Sequence, residues 1–273
     1  MIYKHCLQDY KTKYVRMNKK YLSDEQIAFF NANGYLTVKD IITPDEIEHY
    51  KDIYNDFLSK KIDVGANRSD LGDGLGKSKT KESITQIMWP SDFVKELIDM
   101  PFHQRALAIS RELIGDDAEM DFDMLINKAP NTNTITPWHQ DEAYWLNVPD
   151  KRAASCWLAL DEATVDNGCM WFVPGSNLKE VRPHRFAGKE GGALTCDATE
   201  NEGVYIELKP GSCTFHQGRT LHYSRGNSTH TERRAFILNF RPAEMIKYER
   251  ERGFDHGRNN AGDRKLKNDD FKD

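Results

Sequence analysis

Apolar residues recur at helical spacing through the first third of the chain and at strand spacing through most of the rest. Ser23-Asp24-Glu25-Gln26 precedes Ile27, Phe29 and Phe30 as a capping-box pattern, and Asn33-Gly34 supplies a stop, so a helix is expected between them. Tyr35–Val38 reads as a short strand. A second box, Thr43-Pro44-Asp45-Glu46, opens a helix whose Ile47, Tyr50, Ile53, Tyr54 and Phe57 share one face. Residues 62–82 contain four glycines and no periodicity, which predicts a long loop. Helical patterning resumes at Ser91 and ends near Ile114, before Gly115.

From Ala118 the period shortens. Residues 121–126 alternate loosely, and residues 153–160 (AASCWLAL) form a continuous apolar run, as strands buried on both faces do. Asn167-Gly168 is a hairpin signal, expected to join that run to residues 169–173, which Pro174-Gly175-Ser176 ends. Further strands are expected at residues 204–208, 212–215, 221–224 and 234–240. Many short strands with turn punctuation predict a mainly β fold: a cupin-like jelly roll, or double-stranded β-helix, over residues 118–242. The helices of residues 21–115 would flank it, making one domain of residues 21–242 between a basic extension (1–20) and a charged, loosely docked tail (243–273).

Composition narrows the partners. Of 273 residues, 38 are Lys or Arg and 43 are Asp or Glu, and a net charge of -5 gives no general attraction to nucleic acid or anionic membrane. No apolar run approaches the ~18 residues of a membrane-spanning helix. The basic N-terminal segment has no apolar h-region, so it is not a secretory signal, and Met17 offers an alternative start. Cys6, Cys156, Cys169, Cys196 and Cys213 are odd in number and lack a Cys-x-x-Cys pair. That argues against a disulfide framework or a thiolate zinc site and predicts reduced thiols in a cytoplasm.

The chemistry concentrates in Thr136-Pro137-Trp138-His139-Gln140-Asp141. In extended chain, residues i and i+2 project to the same side, so His139 and Asp141 converge. They supply two-thirds of a 2-His-1-carboxylate site, which leaves adjacent positions open on Fe(II). The third ligand must come from a distant strand, and His216 and His222 are both available. Arg233 opens the strand that follows, and an arginine aimed into the same cavity would suit a dicarboxylate co-substrate. Taken singly, these residues are matched by surface His–Asp pairs, loop-capping histidines and solvated edge arginines. Taken together, they indicate a site.

MLINKAP (124–130), PWHQD (137–141), the strand around Trp157, DNGC leading to PGS, EGG (190–192), the two-histidine stretch and RGNSTHTERR (225–234) occur in this order. In this series the sequence resembles the phytanoyl-CoA dioxygenase family of Fe(II)/2-oxoglutarate oxygenases, from about Tyr21 to Pro242. The resemblance implies His139, Asp141 and His222 as iron ligands and catalytic residues. It implies Arg233 and Ser224 as contacts of the oxoglutarate carboxylate, with Trp157 lining that pocket. Implied cofactors are Fe(II), 2-oxoglutarate and O2; implied chemistry is hydroxylation of an aliphatic C–H bond, with succinate and CO2 as co-products. Asp141 argues against the family's halogenases, in which a small residue replaces the carboxylate. The substrate is expected to be a small molecule, an acyl-CoA or a polar metabolite, although the C-terminal residues are not a Ser-Lys-Leu peroxisomal signal. Tyr144, Trp145, Trp138 and the 62–82 loop are expected around the entrance, and residues 182–185 (RPHR) as a solvated basic turn. Two other readings stay open: a cupin-like metal protein with isomerase or oxoglutarate-independent dioxygenase chemistry, and a non-catalytic binding protein. Open too are the role of His216, behind His222 or in the core, any contact of Asn127 or Lys128 with the co-substrate, and the oligomeric state.

Overall fold

Both capping boxes close as the sequence predicts. In the computed structural model, which describes residues 20–72, 82–188 and 193–259, Ser23 and Gln26 cap each other at the start of the helix Asp24–Asn33. Gly34 ends it in the left-handed region (φ 81°), where a Cβ would lie 2.4 Å from Thr220 Oγ1. Thr43 and Glu46 cap Pro44–Leu58 in the same way. A third long helix, Pro101–Ile114, follows a short helical segment at Pro90–Phe93.

The strands run β1 (Tyr35–Val38), β2 (Arg68–Asp70), β3 (Ile84–Met88), β4 (Ala118–Lys128), β5 (Thr136–His139), β6 (Ala154–Ala159), β7 (Met170–Phe172), β8 (Arg185–Phe186), β9 (Leu194–Thr195), β10 (Val204–Ile206), β11 (Cys213–His216), β12 (His222–Ser224) and β13 (Arg233–Pro242). Seven form a sheet in the order β1-β11-β6-β13-β4-β3-β2, four a second in the order β10-β7-β12-β5, and β8-β9 pair apart. All pairings are antiparallel, giving the expected cupin-like jelly roll. Strand alternation divides the core. Leu125, Leu158, Phe236 and Leu238 pack against Tyr50, Phe57 and Phe102 of the helices. Ile126, Trp157 and Ile237 point the other way, towards Met170 and Phe172 of the smaller sheet. Each such buried side chain contributes ~1.5–3 kcal/mol.

Three expectations change. Asn167-Gly168 does not turn a hairpin. Both edges of β6 are occupied by β11 and β13, so residues 169–173 cross to the smaller sheet and pair there as β7. Residues 62–82 are not wholly loop: β2 pairs with β3, and the Asp70 carboxylate accepts from the backbone N–H groups of Gly72, Ser83 and Ile84. Residues 73–81 of that span lie outside the described residues, as do 1–19, 189–192 with the EGG block, and 260–273.

The third change is the tail. Ala243–Glu251 is a helix that buries Met245 and Glu249, and the chain stays docked as far as Asp255 and His256. Its charges looked solvated in sequence but are paired inside the protein. Arg241 donates to Glu249 at 2.7 Å, and Arg250 and His256 both meet the buried Asp121. Among the described residues no helix is long and apolar enough to cross a membrane.

Candidate active site

The cavity lies between the sheets, with β5 and β12 of the smaller sheet facing β4, β6 and β13 of the larger one. Pairing of His222 with His139 and of Ser224 with Thr136 leaves one extra residue on β5, a bulge at Pro137–Trp138. The bulge lets both Thr136 and His139 face the cavity, while Trp138, next to His139, faces away from it.

His139 Nε2 and His222 Nε2 each lie 3.6 Å from Asp141 Oδ1, and their rings are 4.1 Å apart. One donor atom from each of the three residues falls within 4.8 Å of the others. Backbone carbonyls set the tautomers: His139 Nδ1 donates to Pro137 O at 2.7 Å and His222 Nδ1 to Thr220 O at 2.9 Å. A carbonyl only accepts, so each Nε2 carries its lone pair towards Asp141. Burial pushes both imidazole pKa values down, His222 well below the usual value with His139 adding to the effect. Burial disfavours charge on Asp141, but His222, His216 and His139 outweigh it and hold the carboxyl well below its usual range. Two neutral imidazoles and one carboxylate are the donor set a divalent metal binds without displacing protons.

The remaining oxygen of Asp141 is also held. His216 Nε2 lies 3.3 Å from Asp141 Oδ2, so this histidine supports the carboxylate rather than His222. Ser155 Oγ is 3.1 Å from the same oxygen and 2.6 Å from Asn239 Oδ1, while Asn239 Nδ2 has no partner. One hydroxyl proton serves one acceptor. With the amide turned over, Asn239 donates to Ser155 and Ser155 to Asp141. Neither residue was found by sequence reasoning. The available signal was a polar side chain inside an apolar strand run, AASCWLAL for Ser155 and FILNF for Asn239.

Gln140 faces away from the cavity and ties three segments together. Its amide donates to Arg219 O at 2.7 Å and accepts from Arg182 N at 2.8 Å, and its backbone N–H donates to His184 Nε2 at 3.1 Å. The RPHR turn is therefore partly internal: Arg182 and Arg185 pair with Glu202 and Asp197 at the surface, but His184 braces the chain between the two candidate ligands.

At the other end of the cavity Arg233 is 2% exposed, yet its Nε and Nη1 have no partner. Its guanidinium lies 5.1 Å over the Trp157 ring, and burial pulls its pKa down to about 10. Arg233, Ser224 and Trp157 line the same ≈ 80 Å³ cavity as His139, Asp141 and His222. A buried guanidinium with free N–H groups is a receptor for an anion, and the triad is a receptor for a metal. The residues present thus fit iron and a 2-oxo diacid.

The three entrance aromatics separate. Tyr144 sets its ring edge-on to His139 at 5.9 Å, and its hydroxyl accepts from Leu194 N at 2.6 Å. Trp138 instead stacks on Tyr223 at 4.9 Å, away from the cavity. Trp145 lies beneath Gly218, where a Cβ would come within 2.2 Å of its ring, with the Arg241 guanidinium 4.6 Å above it. Neither tryptophan lines the cavity, because strand alternation turns Trp138 away from the side His139 faces and the turn after Asp141 buries Trp145.

A jelly roll carrying this triad and this arginine defines the class: an iron- and 2-oxoglutarate-dependent dioxygenase. Residues 30–235 match the phytanoyl-CoA dioxygenase (PhyH) family, and the chain belongs to it. It is 26% identical to a probable phytanoyl-CoA dioxygenase of Caenorhabditis elegans over 242 residues, 83% of this chain and 78% of that one. With the peroxisomal phytanoyl-CoA dioxygenase of Homo sapiens it shares 25% over 239 residues, 84% of this chain and 71% of that one. Among solved structures, EvdO2 from Micromonospora carbonacea var. aurantiaca complexed with 2-oxoglutarate is 27% identical with a TM-score of 0.69, covering 82% of this chain and 92% of that one. The epimerase SnoN in complex with Fe3+, alpha ketoglutarate and nogalamycin RO shares the fold at 24% identity and a TM-score of 0.66, covering 81% of this chain and 83% of that one.

Proposed function

We propose that this enzyme hydroxylates an aliphatic C–H bond of a small molecule, an acyl-CoA or a polar metabolite. The observation that carries the reading is Arg233, a buried cation with two unpartnered N–H groups in the cavity that holds the triad. His139, Asp141 and His222 would hold the iron, with Asp141 oriented by Ser155 and His216. Arg233 and Ser224 would hold the far carboxylate of 2-oxoglutarate, and the Trp157 ring would support the guanidinium. When bound, iron and 2-oxoglutarate reduce O2 with loss of CO2 and formation of succinate, and supply the oxidising power for the C–H bond. The chain's own part would be positioning: His139, Asp141 and His222 as ligands, an apolar wall of Met124, Ile126 and Met170, and Tyr144 edge-on to His139. A carboxylate at Asp141 favours hydroxylation over halogenation. The unpartnered Arg233 disfavours oxoglutarate-independent chemistry, which would have no use for it. Four unpaired buried cysteines favour a reducing compartment, and we assign the protein to the cytoplasm on that ground.

The test is an anaerobic titration of metal-free protein with Fe(II) and then 2-oxoglutarate, followed by visible absorption. A charge-transfer band in wild type that is missing in His139→Ala and Arg233→Ala is the expected result. A folded, iron-loaded wild type that gives no band overturns the reading.

A further inference from the structure

Lys128 ends the MLINK motif, and none of the roles assigned so far uses it. It stands opposite Arg233 in the β4–β13 register and is 0% exposed. Its Nζ donates to Thr134 O at 3.2 Å, Ser224 O at 3.3 Å and Arg225 O. Three carbonyl acceptors use three N–H donors, as an ammonium requires. Among the described residues no carboxylate forms an ion pair with it. Two buried cations, Lys128 and Arg233, thus sit side by side without an acid between them, a costly arrangement in a protein interior. Burial and the neighbouring Arg233 hold the Lys128 pKa well below the usual value.

The fold makes room for this. Gly168 has φ 93°, and a Cβ there would lie 3.1 Å from Lys128 Cδ and 2.5 Å from Arg225 O. The ammonium therefore reaches the chain just before β5 and the end of β12 at once. Ser224, whose carbonyl it holds, lines the cavity beside Arg233.

We propose that Lys128 is a positioning and specificity residue of the oxo-acid site. It fixes Ser224 through its carbonyl and adds a second uncompensated positive charge behind Arg233, so that the site selects a 2-oxo acid with a far carboxylate. This rests on the oxygenase reading above. The compensating charge is the far carboxylate of the co-substrate, and an oxo acid that lacks it leaves both cations unpaired.

The experiment compares 2-oxoglutarate with 2-oxopentanoate, which has the same chain length and no far carboxylate. Both are titrated anaerobically into Fe(II)-loaded wild type, Lys128→Gln and Lys128→Met, with the charge-transfer band as readout. Glutamine keeps donors for the carbonyls without the charge; methionine keeps only the stem, and either variant alone decides the question if the other does not fold. Preference for 2-oxoglutarate over 2-oxopentanoate is expected to fall about tenfold in the variants. Equal weakening of both oxo acids, or an unchanged preference, overturns the assignment and leaves Lys128 a purely structural clasp. A wild type without a band removes the oxygenase reading itself, and this inference with it.

Discussion

Asp141 shows how much a single candidate ligand depends on its neighbours. One oxygen faces two imidazole nitrogens at 3.6 Å, and the other is held by His216 and Ser155. Removing the Ser155 hydroxyl frees that second oxygen without touching a ligand. Ser155→Ala is expected to weaken Fe(II) binding by about tenfold or more, the usual cost of losing a partner that orients a ligand. An anaerobic Fe(II) titration, with circular dichroism confirming the fold, measures it, and an unchanged affinity would show that His216 alone suffices. At this scale spacing left His216 and His222 both open, and only the family resemblance chose His222, which the structure gathers with His139 and Asp141. The His139–Asp141 pair was legible from residue type and spacing, and Arg233 as a candidate anion partner. Ser155 and Asn239 were not, because their meaning lies in contacts between separate strands. Trp138 misled because sequence neighbours in a strand face opposite sides, so a cavity-facing His139 sends Trp138 the other way.

The two helices that open on capping boxes were legible to within a few residues, since those boxes are local patterns whose donors and acceptors lie three residues apart. The expected helix from Ser91 to Ile114 is instead broken before Pro101, and the helix Ala243–Glu251 reads in sequence as a loose tail. Most longer strands from Ala118 onward were legible too, but β2, β3, β8 and β9 were not. Strand partnership was not: Asn167-Gly168 reads as a hairpin until both neighbours of β6 are known. The same glycine then serves a different need. Its φ of 93° lies in the left-handed region, and a Cβ would meet Arg225 O, a backbone atom that cannot swing aside, at 2.5 Å. Gly168→Ala is therefore expected to cost about 1–3 kcal/mol, the range of an unfavourable backbone conformation. Thermal unfolding should show a clear fall in Tm. An unchanged Tm would mean that the turn before β7 relaxes freely, and that the close packing around Lys128 does not depend on it.

Across the whole molecule, the C-terminal segment packs against β4 and β13 and reaches the loop that carries Asp141. Glu249 accepts from Leu146 N at 3.2 Å, and Arg241 donates to Glu249 while covering Trp145. Asp121 is the hub, meeting Arg241, Arg250 and His256 from the far side of 120 or more sequence positions, which is why the tail looked solvated in the sequence. Burial alone would raise the Asp121 pKa, but His256, Arg250 and Arg241 outweigh it and hold the carboxyl well below the usual range. A carboxyl depressed in the folded state stabilises the fold at pH values above its unfolded pKa of ~3.9, and loses that contribution as pH falls through the folded value. Replacing it with a neutral amide leaves Arg250 without its acid partner and Arg241 and His256 with Glu249 alone among the described residues, so Asp121→Asn is expected to cost about 3–5 kcal/mol at neutral pH. That difference should stay flat down to pH ~5 and shrink as the medium becomes more acid than pH ~4, because protonation makes the wild type resemble the variant. Urea unfolding of both proteins between about pH 3 and about pH 8 reads this directly. Parallel curves throughout would show that Asp121 is not an ionised hub, and that apolar packing of Met245 and the Phe122–His256 stack holds the segment instead.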